Sequence, residues 1–235
     1  MSLEYFYTPP HLISGGELAI EGDEFSHLTH VMRKRVHDRI RVVDGLGHAY
    51  EATIAEISRR KALCTVERST TFEGEPARRV DLAAALLKNS SRFDVLVEKT
   101  TEIGVQRIVP LITERTIPRH ARTDRWQKLA LAAMKQSGRS VLPAVAEPAM
   151  FATFVAAVPK EHCRLLAHEK TEKSPIRSMD IPPGTAVTIC IGPEGGFTDA
   201  EVSAAVAAGF SPVSLGPRRL RTETAAIVAL AALVA

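Results

Sequence analysis

Thr188-Ile-Cys-Ile-Gly192-Pro193-Glu194-Gly195-Gly196-Phe197-Thr198 reads as a buried strand that runs into a glycine turn and then into a helix start. Further along the chain the same grammar returns in Val213-Ser-Leu215-Gly216-Pro217-Arg218-Arg219-Leu220-Arg221-Thr222-Glu223-Thr224. Two strand ends, each opening into a Gly-Pro loop and then a helix, imply one ligand crevice built twice over. In parallel α/β sheets, ligands lie at the carboxyl ends of strands, where loops meet helix N-termini.

The surrounding chain supports a parallel sheet. From residue 79 onward, strands and helices alternate. The run 80–87 is almost continuously apolar, as a strand covered on both faces requires. Ser91 is placed to cap the next helix, with Asp94 closing a capping box, and Gly104 ends it. A strand over 107–112, a helix over 124–137, a helical stretch over 150–158 and a strand over 163–167 follow. The strand 185–191 feeds the first glycine loop. Thr198 and Glu201 form a second capping box, so Glu201 is assigned to capping. Thr222 caps the final helix, whose run Ala225-Ala-Ile-Val-Ala-Leu-Ala-Ala-Leu-Val-Ala235 has no polar face. Such a helix is buried on more than one side, and a homodimer interface is the economical explanation.

Residues 1–72 have a different character. Strands are expected over 17–21, 39–44, 48–57 and 62–71, with a helix over 23–34 that turns Phe25, Leu28 and Met32 inward. This is a small, mostly β, barrel-like module. Arg33, Lys34, Arg35, Arg39 and Arg41 cluster within it, and Arg59-Arg60-Lys61 fill a turn. Close-set cations suit a phosphate backbone, although the same residues also suit a solvated turn and a helix C-terminus. Glu73-Gly74-Glu75-Pro76 breaks the pattern and divides the chain into 1–72 and 73–235.

Whole-chain properties set bounds. The 235 residues are 45% hydrophobic with a net charge of +3, which permits an anionic partner without requiring one. Cys64, Cys163 and Cys190 are odd in number and far apart, so buried free thiols in a reducing compartment are expected. No C-x-x-C or H-E-x-x-H occurs, and no metal site is expected. Met1-Ser-Leu-Glu-Tyr5 lacks the basic-then-apolar pattern of a signal, and the apolar C-terminal run is too short for a membrane span. The expectation is a cytoplasmic protein with no membrane partner.

Gly192-Pro-Glu-Gly-Gly196 is neither G-x-G-x-x-G nor a P-loop. Glycine lacks a Cβ, so Gly195-Gly196 can bring bare backbone against a flat ligand. The sequence Ile191-Gly-Pro-Glu-Gly-Gly-Phe-Thr198, taken with Leu215-Gly-Pro-Arg-Arg-Leu-Arg-Thr-Glu-Thr-Ala225, resembles the RsmE family. Those are S-adenosylmethionine-dependent SPOUT methyltransferases acting on N3 of a uridine in 16S ribosomal RNA. The resemblance extends through His27-Leu-Thr-His-Val-Met-Arg33, Lys99-Thr-Thr-Glu-Ile-Gly-Val105 and Gln136-Ser-Gly-Arg139, and so covers nearly the whole chain.

The resemblance implies an N-terminal PUA-like β-barrel and a C-terminal α/β domain. The latter would be a mostly parallel sheet with helices on both faces, tied in a trefoil knot. It implies an obligate homodimer whose partner is 16S ribosomal RNA or the small ribosomal subunit. S-adenosyl-L-methionine would be held by three loops. These are Leu166-Ala-His-Glu169, Ile191 to Gly196 and Leu215 to Thr224, and they supply Leu166, Ala167 and His168; Ile191, Gly192, Pro193, Glu194, Gly195 and Gly196; and Leu215, Gly216, Leu220, Thr222, Thr224 and, just beyond, Ala225. Arg33, Lys34, Arg35, Lys88, Arg139 and Arg219 would face RNA. Relatives carry Gly-Arg-Asn where this chain has Gly138-Arg139-Ser140, so the asparagine's role is not carried onto Ser140.

For that chemistry the enzyme must align an in-line nucleophile with an electrophilic sulfonium methyl. Uracil N3 becomes a good nucleophile only after losing its proton. A cation beside the base stabilises the resulting anion, and Arg221 is the first candidate, with Arg219 second. The same arginines also suit RNA phosphate or a pair with Glu223. Glu194 and Glu223 are candidate proton acceptors, although Glu223 reads first as a carboxylate favoured by the helix dipole. Two rival readings are a SPOUT enzyme acting on another RNA position or on transfer RNA, and a non-catalytic RNA-binding module. The intact pair of donor loops speaks against the second.

Overall fold

The structure, a computed structural model, describes residues 5–118, 120–169 and 175–234. The first four residues of the N-terminal stretch read above, and Ala235, lie outside the described residues. The chain divides into two compact units: Met1–Glu75 with Leu131–Leu142, and Pro76–Ala130 with Pro143–Ala235.

The first unit is a curled sheet built on period-two alternation. Its strands are β1 (Tyr5–Tyr7), β2 (Ile13–Ser14), β3 (Glu17–Glu21), β4 (Arg39–Val43), β5 (His48–Ile57) and β6 (Lys61–Thr71). They run in the order β1-β4-β5-β6-β3-β2 and are antiparallel except for the parallel β1–β4 pair. Register shifts in the β5–β6 ladder bend the sheet. Leu18, Ile20, Ile40, Val42, Ala52, Ile54 and Cys64 point inward onto Phe6, Phe25 and Leu28.

The helix expected over 23–34 is shorter. α1 (Gly22–Ser26) widens into a π-turn over His27–Val31 and stops. Arg33 sits at φ 53°, and the Lys34 amide donates to the Leu28 carbonyl at 3.0 Å. Here a non-glycine residue adopts the left-handed conformation that usually ends helices at glycine. Phe25 and Leu28 are buried as the spacing required.

A buried ion pair ties Leu131–Leu142 to the rest of this unit. Arg139 Nη2 lies 2.6 Å from Glu75 Oε2, with the side chains only 3% and 6% exposed. Glu75 Oε1 also accepts from the Ser140 and Val141 amides at 2.9 and 3.0 Å. Arg139 was expected to face RNA; the structure instead places it inside the unit as a structural tie.

The second unit carries an all-parallel sheet of β7 (Val80–Ala85), β8 (Arg107–Ile112), β9 (Ala144–Val145), β10 (Ala149–Met150), β11 (Cys163–Ala167), β12 (Val187–Ile191) and β13 (Ser211–Val213). The path is β10-β8-β7-β12-β11-β13, with β9 also on β8. Its helices are α2 (Ser90–Ile103), the first half of α3 (Thr123–Ser137, whose residues from Leu131 on belong to the first unit), α4 (Phe151–Ala157), α5 (Asp199–Ala207) and α6 (Thr222–Val234).

Register explains why the central strands are apolar throughout. Leu166, Cys190, Ala83 and Val109 form one row across the sheet beneath α4 and α5. Leu165, Ile189, Leu82 and Ile108 form the adjacent row, which points to the opposite face and is fully buried. α6 packs against β7, β12 and α2, and Arg78 donates to the Leu233 carbonyl in its last turn at 3.1 Å. Both outer strands of the path are short, and β13 has Pro212 at its centre.

Two expected caps are reassigned. Asn89, not Ser91, caps α2: its Oδ1 accepts from the Ser91 amide at 3.0 Å. Asp94 closes no box. It accepts from Arg125 Nη2 at 2.9 Å and from Trp126 Nε1 at 3.0 Å, where Trp126 packs on Phe93.

Removing one partner of a buried pair leaves an unpaired charge, which costs ~3–5 kcal/mol. Glu75→Ala is therefore expected to lower unfolding free energy by that amount in denaturant titration. The double variant Glu75→Gln with Arg139→Met, which removes both charges but keeps an acceptor for the Ser140 and Val141 amides, should be less destabilised than Glu75→Ala.

Candidate functional site

Because the sheet is parallel, the carboxyl ends of β8, β12, β11 and β13 share one edge. The segments that leave them line an open cleft of about 200 Å³. Arg115 comes from the turn after β8, and Ala167, His168 and Glu169 from the end of β11. Ile191 through Phe197 and Asp199 come from the end of β12. Leu215, Gly216, Arg218, Arg219, Leu220, Thr222 and Ala225 follow β13.

The 192–196 loop is held by its carbonyls. Thr222 Oγ1 donates to the Gly192 carbonyl at 3.0 Å, Arg219 Nη2 to that of Glu194 at 3.3 Å, and Arg115 Nη1 to that of Gly195 at 2.6 Å. The Gly196 amide closes a turn onto the Pro193 carbonyl at 2.8 Å. Gly196 lies at φ 69°, where a side chain would be strained. Space at Gly195 is tight: a Cβ there would meet Arg115 Cδ at 3.3 Å, so the arginine side chain would have to shift. Phe197 anchors the end of the loop by packing on Phe151, ring centres 4.8 Å apart.

The α5 capping box forms as expected. Thr198 Oγ1 accepts from the Glu201 amide at 3.2 Å, and Glu201 Oε2 accepts from the Thr198 amide at 2.9 Å. Thr222, expected as a cap, is the first residue of α6, and its hydroxyl reaches Gly192 instead.

Most of the expected cofactor residues come together in the cleft, but two do not. Leu166 is fully buried among Phe151, Cys190 and Phe210, and Thr224 is exposed and outside the lining. Of the expected catalytic residues, Glu194 and Arg219 line the cleft, while Arg221 is exposed beside it. Glu223 faces Arg92 at 3.8 Å, not Arg219 or Arg221. Lys88 is exposed just beyond β7 at the same sheet edge. Glu169 and Arg218 lie within the expected loops, whereas sequence reasoning missed Arg115, Phe197 and Asp199. Phe197 lay within a quoted motif, but Arg115 belonged to none.

The cations of the first unit separate into two groups. Arg39 pairs with Glu67 at 2.9 Å, and Arg41 with Glu73 at 3.0 Å, so carboxylates neutralise both. Arg33, Lys34 and Arg35, and the turn Arg59-Arg60-Lys61, form no ion pair among the described residues.

The chain thus combines a parallel α/β sheet, with a glycine-lined cleft at its strand ends, and a curled β unit bearing cations. Residues 74–234 match the profile of an RNA methyltransferase domain, and residues 20–67 that of an RNA methyltransferase PUA domain. The ribosomal RNA small subunit methyltransferase E of Synechocystis sp. is 34% identical over 94% of this chain and 74% of the relative. That of Bacillus subtilis is 29% identical over 92% and 88%. The crystal structure of the Neisseria gonorrhoeae ribosomal RNA small subunit methyltransferase E, bound to S-adenosyl methionine, is 33% identical. It superimposes with a TM-score of 0.88 over 98% of this chain and 96% of that one. A Legionella pneumophila methyltransferase in complex with bound SAM gives 0.86 at 30% identity, over 99% and 97%. The chain belongs to the RsmE family.

Gly195→Val forces branched carbons against Arg115, and overpacking of this kind typically costs ~1–3 kcal/mol. Titration calorimetry should show S-adenosylmethionine affinity lowered by ~tenfold or more, with the circular dichroism spectrum unchanged. Unchanged affinity would remove the 192–196 loop from the site.

Proposed function

We propose that the chain transfers a methyl group from S-adenosylmethionine to N3 of a uridine in small-subunit ribosomal RNA, acting in the cytoplasm as a homodimer. The observation that carries this reading is the cleft itself. Two Gly-Pro loops, from the ends of β12 and β13 on either side of β11, close on one another through Thr222 and Gly192. Membership of the RsmE family and the SAM-bound neighbours support the choice of donor and substrate.

The residues suit the donor. Ile191, Leu215, Leu220 and Ala225 offer apolar surface to a purine, while the bare backbone of 192–196 approaches closely. When bound, S-adenosylmethionine supplies an electrophilic methyl on a sulfonium. This chain's residues then orient the uridine and handle its proton. Arg219, on the cleft wall, and the neighbouring Arg221 stabilise the negative charge that spreads over the base when N3 is deprotonated. Glu194 lines the same wall and accepts the proton.

Arg115, Arg218 and Arg219 have no carboxylate partner among the described residues, so the cleft mouth favours a polyanion. Lys88 extends that preference at the same sheet edge, and Arg33, Lys34 and Arg35 give the first unit its own cations for an RNA backbone. α6 supports the dimer: Ala231 is exposed, and Ile227, Val228 and Ala232 are half-exposed on an otherwise apolar helix. The trefoil knot belongs to the same reading. The strand order, in which β12 lies inside β11 and the chain returns past it to β13, is consistent with it.

Mass spectrometry of ribosomal RNA from a strain lacking this chain should show the loss of one N3-methyluridine. Loss of a different modification, or of one in transfer RNA, would replace the proposed substrate. Arg221→Ala is expected to lower the single-turnover methylation rate by ~100-fold, the scale for removing one charge-stabilising donor, with donor affinity nearly unchanged. Equal losses in both would move Arg221 from chemistry to donor binding.

A further inference from the structure

Arg115 makes the shortest side-chain contact to the 192–196 loop among the described residues, and its position is built with care. Thr113 and Thr116 are buried beyond the end of β8, and their hydroxyls meet at 2.8 Å. The Thr113 amide also donates to Thr116 Oγ1 at 3.0 Å, and the Thr116 amide to the Thr113 carbonyl at 3.2 Å. This closes a tight turn with Glu114 and Arg115 at its tip.

The tip is clasped onto the start of α5. The Glu114 amide donates to Glu201 Oε1 at 2.8 Å, and Thr198 Oγ1 donates to Glu114 Oε2 at 3.1 Å. Glu201 thus caps α5 with one oxygen and holds the turn with the other.

The target of Arg115 is the peptide between Gly195 and Gly196. With glycine on both sides, this peptide has unusual freedom to rotate, since neither residue restricts φ and ψ through a Cβ. Both of its polar groups are nevertheless fixed. The Gly196 N–H donates to the Pro193 carbonyl at 2.8 Å, and the Gly195 carbonyl accepts from Arg115 Nη1 at 2.6 Å. One bond is local to the loop. The other comes from a different strand end and is charge-assisted, hence the stronger kind. Arg115 has no carboxylate partner among the described residues, so the guanidinium is not diverted from this carbonyl.

We propose that Arg115 is a positioning residue of the reaction, locking the Gly195–Gly196 peptide so that the donor loop holds its binding shape before the donor arrives. This rests on the reading of the cleft as the S-adenosylmethionine site. Pre-organisation of this kind raises affinity by removing an ordering cost at binding. It acts on the donor side of the reaction, apart from the charge stabilisation assigned to Arg219 and Arg221.

The test measures S-adenosylmethionine affinity by calorimetry and, without donor, hydrogen exchange at the Gly196 amide. It compares wild type, Arg115→Lys, and Arg115→Ala with and without millimolar guanidinium. Losing a hydrogen bond to a charged group corresponds to ~10–100-fold, so Arg115→Ala should weaken donor binding by that factor and speed Gly196 exchange comparably. Guanidinium should restore part of both, and Arg115→Lys should lie between. Affinity within about threefold of wild type together with unchanged exchange would overturn the proposal; so would a loss that neither guanidinium nor lysine relieves, since that marks a merely structural role. A wild type that binds no donor would overturn the reading of the cleft, and Gly196 exchange would still decide whether the lock exists.

Discussion

A loop with glycine at three of its five positions has few side chains with which to hold itself, and the cleft of this chain depends on other segments doing so. Three carbonyls of the 192–196 loop accept from three side chains: Thr222 at the start of α6, Arg219 in the second loop and Arg115 beyond β8. Each donor reaches the loop only because parallel strands deliver their carboxyl ends to one edge. The fully buried rows of β7, β8, β11 and β12 therefore serve the site as well as the core, since a slip of one residue would exchange the faces and move every loop. Backbone carbonyls held from outside keep a glycine surface both open and rigid, which neither glycine nor bulky residues achieve alone.

Features carried by local chemistry could be read from the sequence. The capping box of Thr198 and Glu201 is a four-residue pattern, and it forms. The apolar runs of β7 and β12 announced strands covered on both faces, and the repeated Gly-Pro grammar located the cleft. Features set by distant partners could not be read. Asp94 has the spacing of a cap residue, but Trp126 and Arg125 claim it from another helix. Arg139 looks like any exposed cation until Glu75 is found opposite. Arg115 sits in no motif, and only the folded chain brings the turn after β8 past the end of β7 to the 192–196 loop. Leu166 is a case where alternation held the answer, since it pairs with inward-facing Cys190 in the sheet register.

Charge illustrates the same limit. A net charge of +3 describes the chain poorly, because what matters is which cations are already answered. Arg39 and Arg41 are held by glutamates within the first unit. Arg33, Lys34 and Arg35 are not, nor are the arginines at the cleft. Composition counts these residues alike; only pairing separates cations that stabilise the fold from those left for a polyanion.

The ends of the parallel sheet have a consequence for association. β10 has two residues and β13 three, with a proline at the centre of the latter. Edges this brief offer a neighbouring chain almost no ladder of backbone donors and acceptors, and proline removes one donor outright. Growth by strand addition, the usual hazard of an open sheet, is closed off at both margins. Association of copies through an extended sheet is thus disfavoured, and side-chain surfaces are what remain for it.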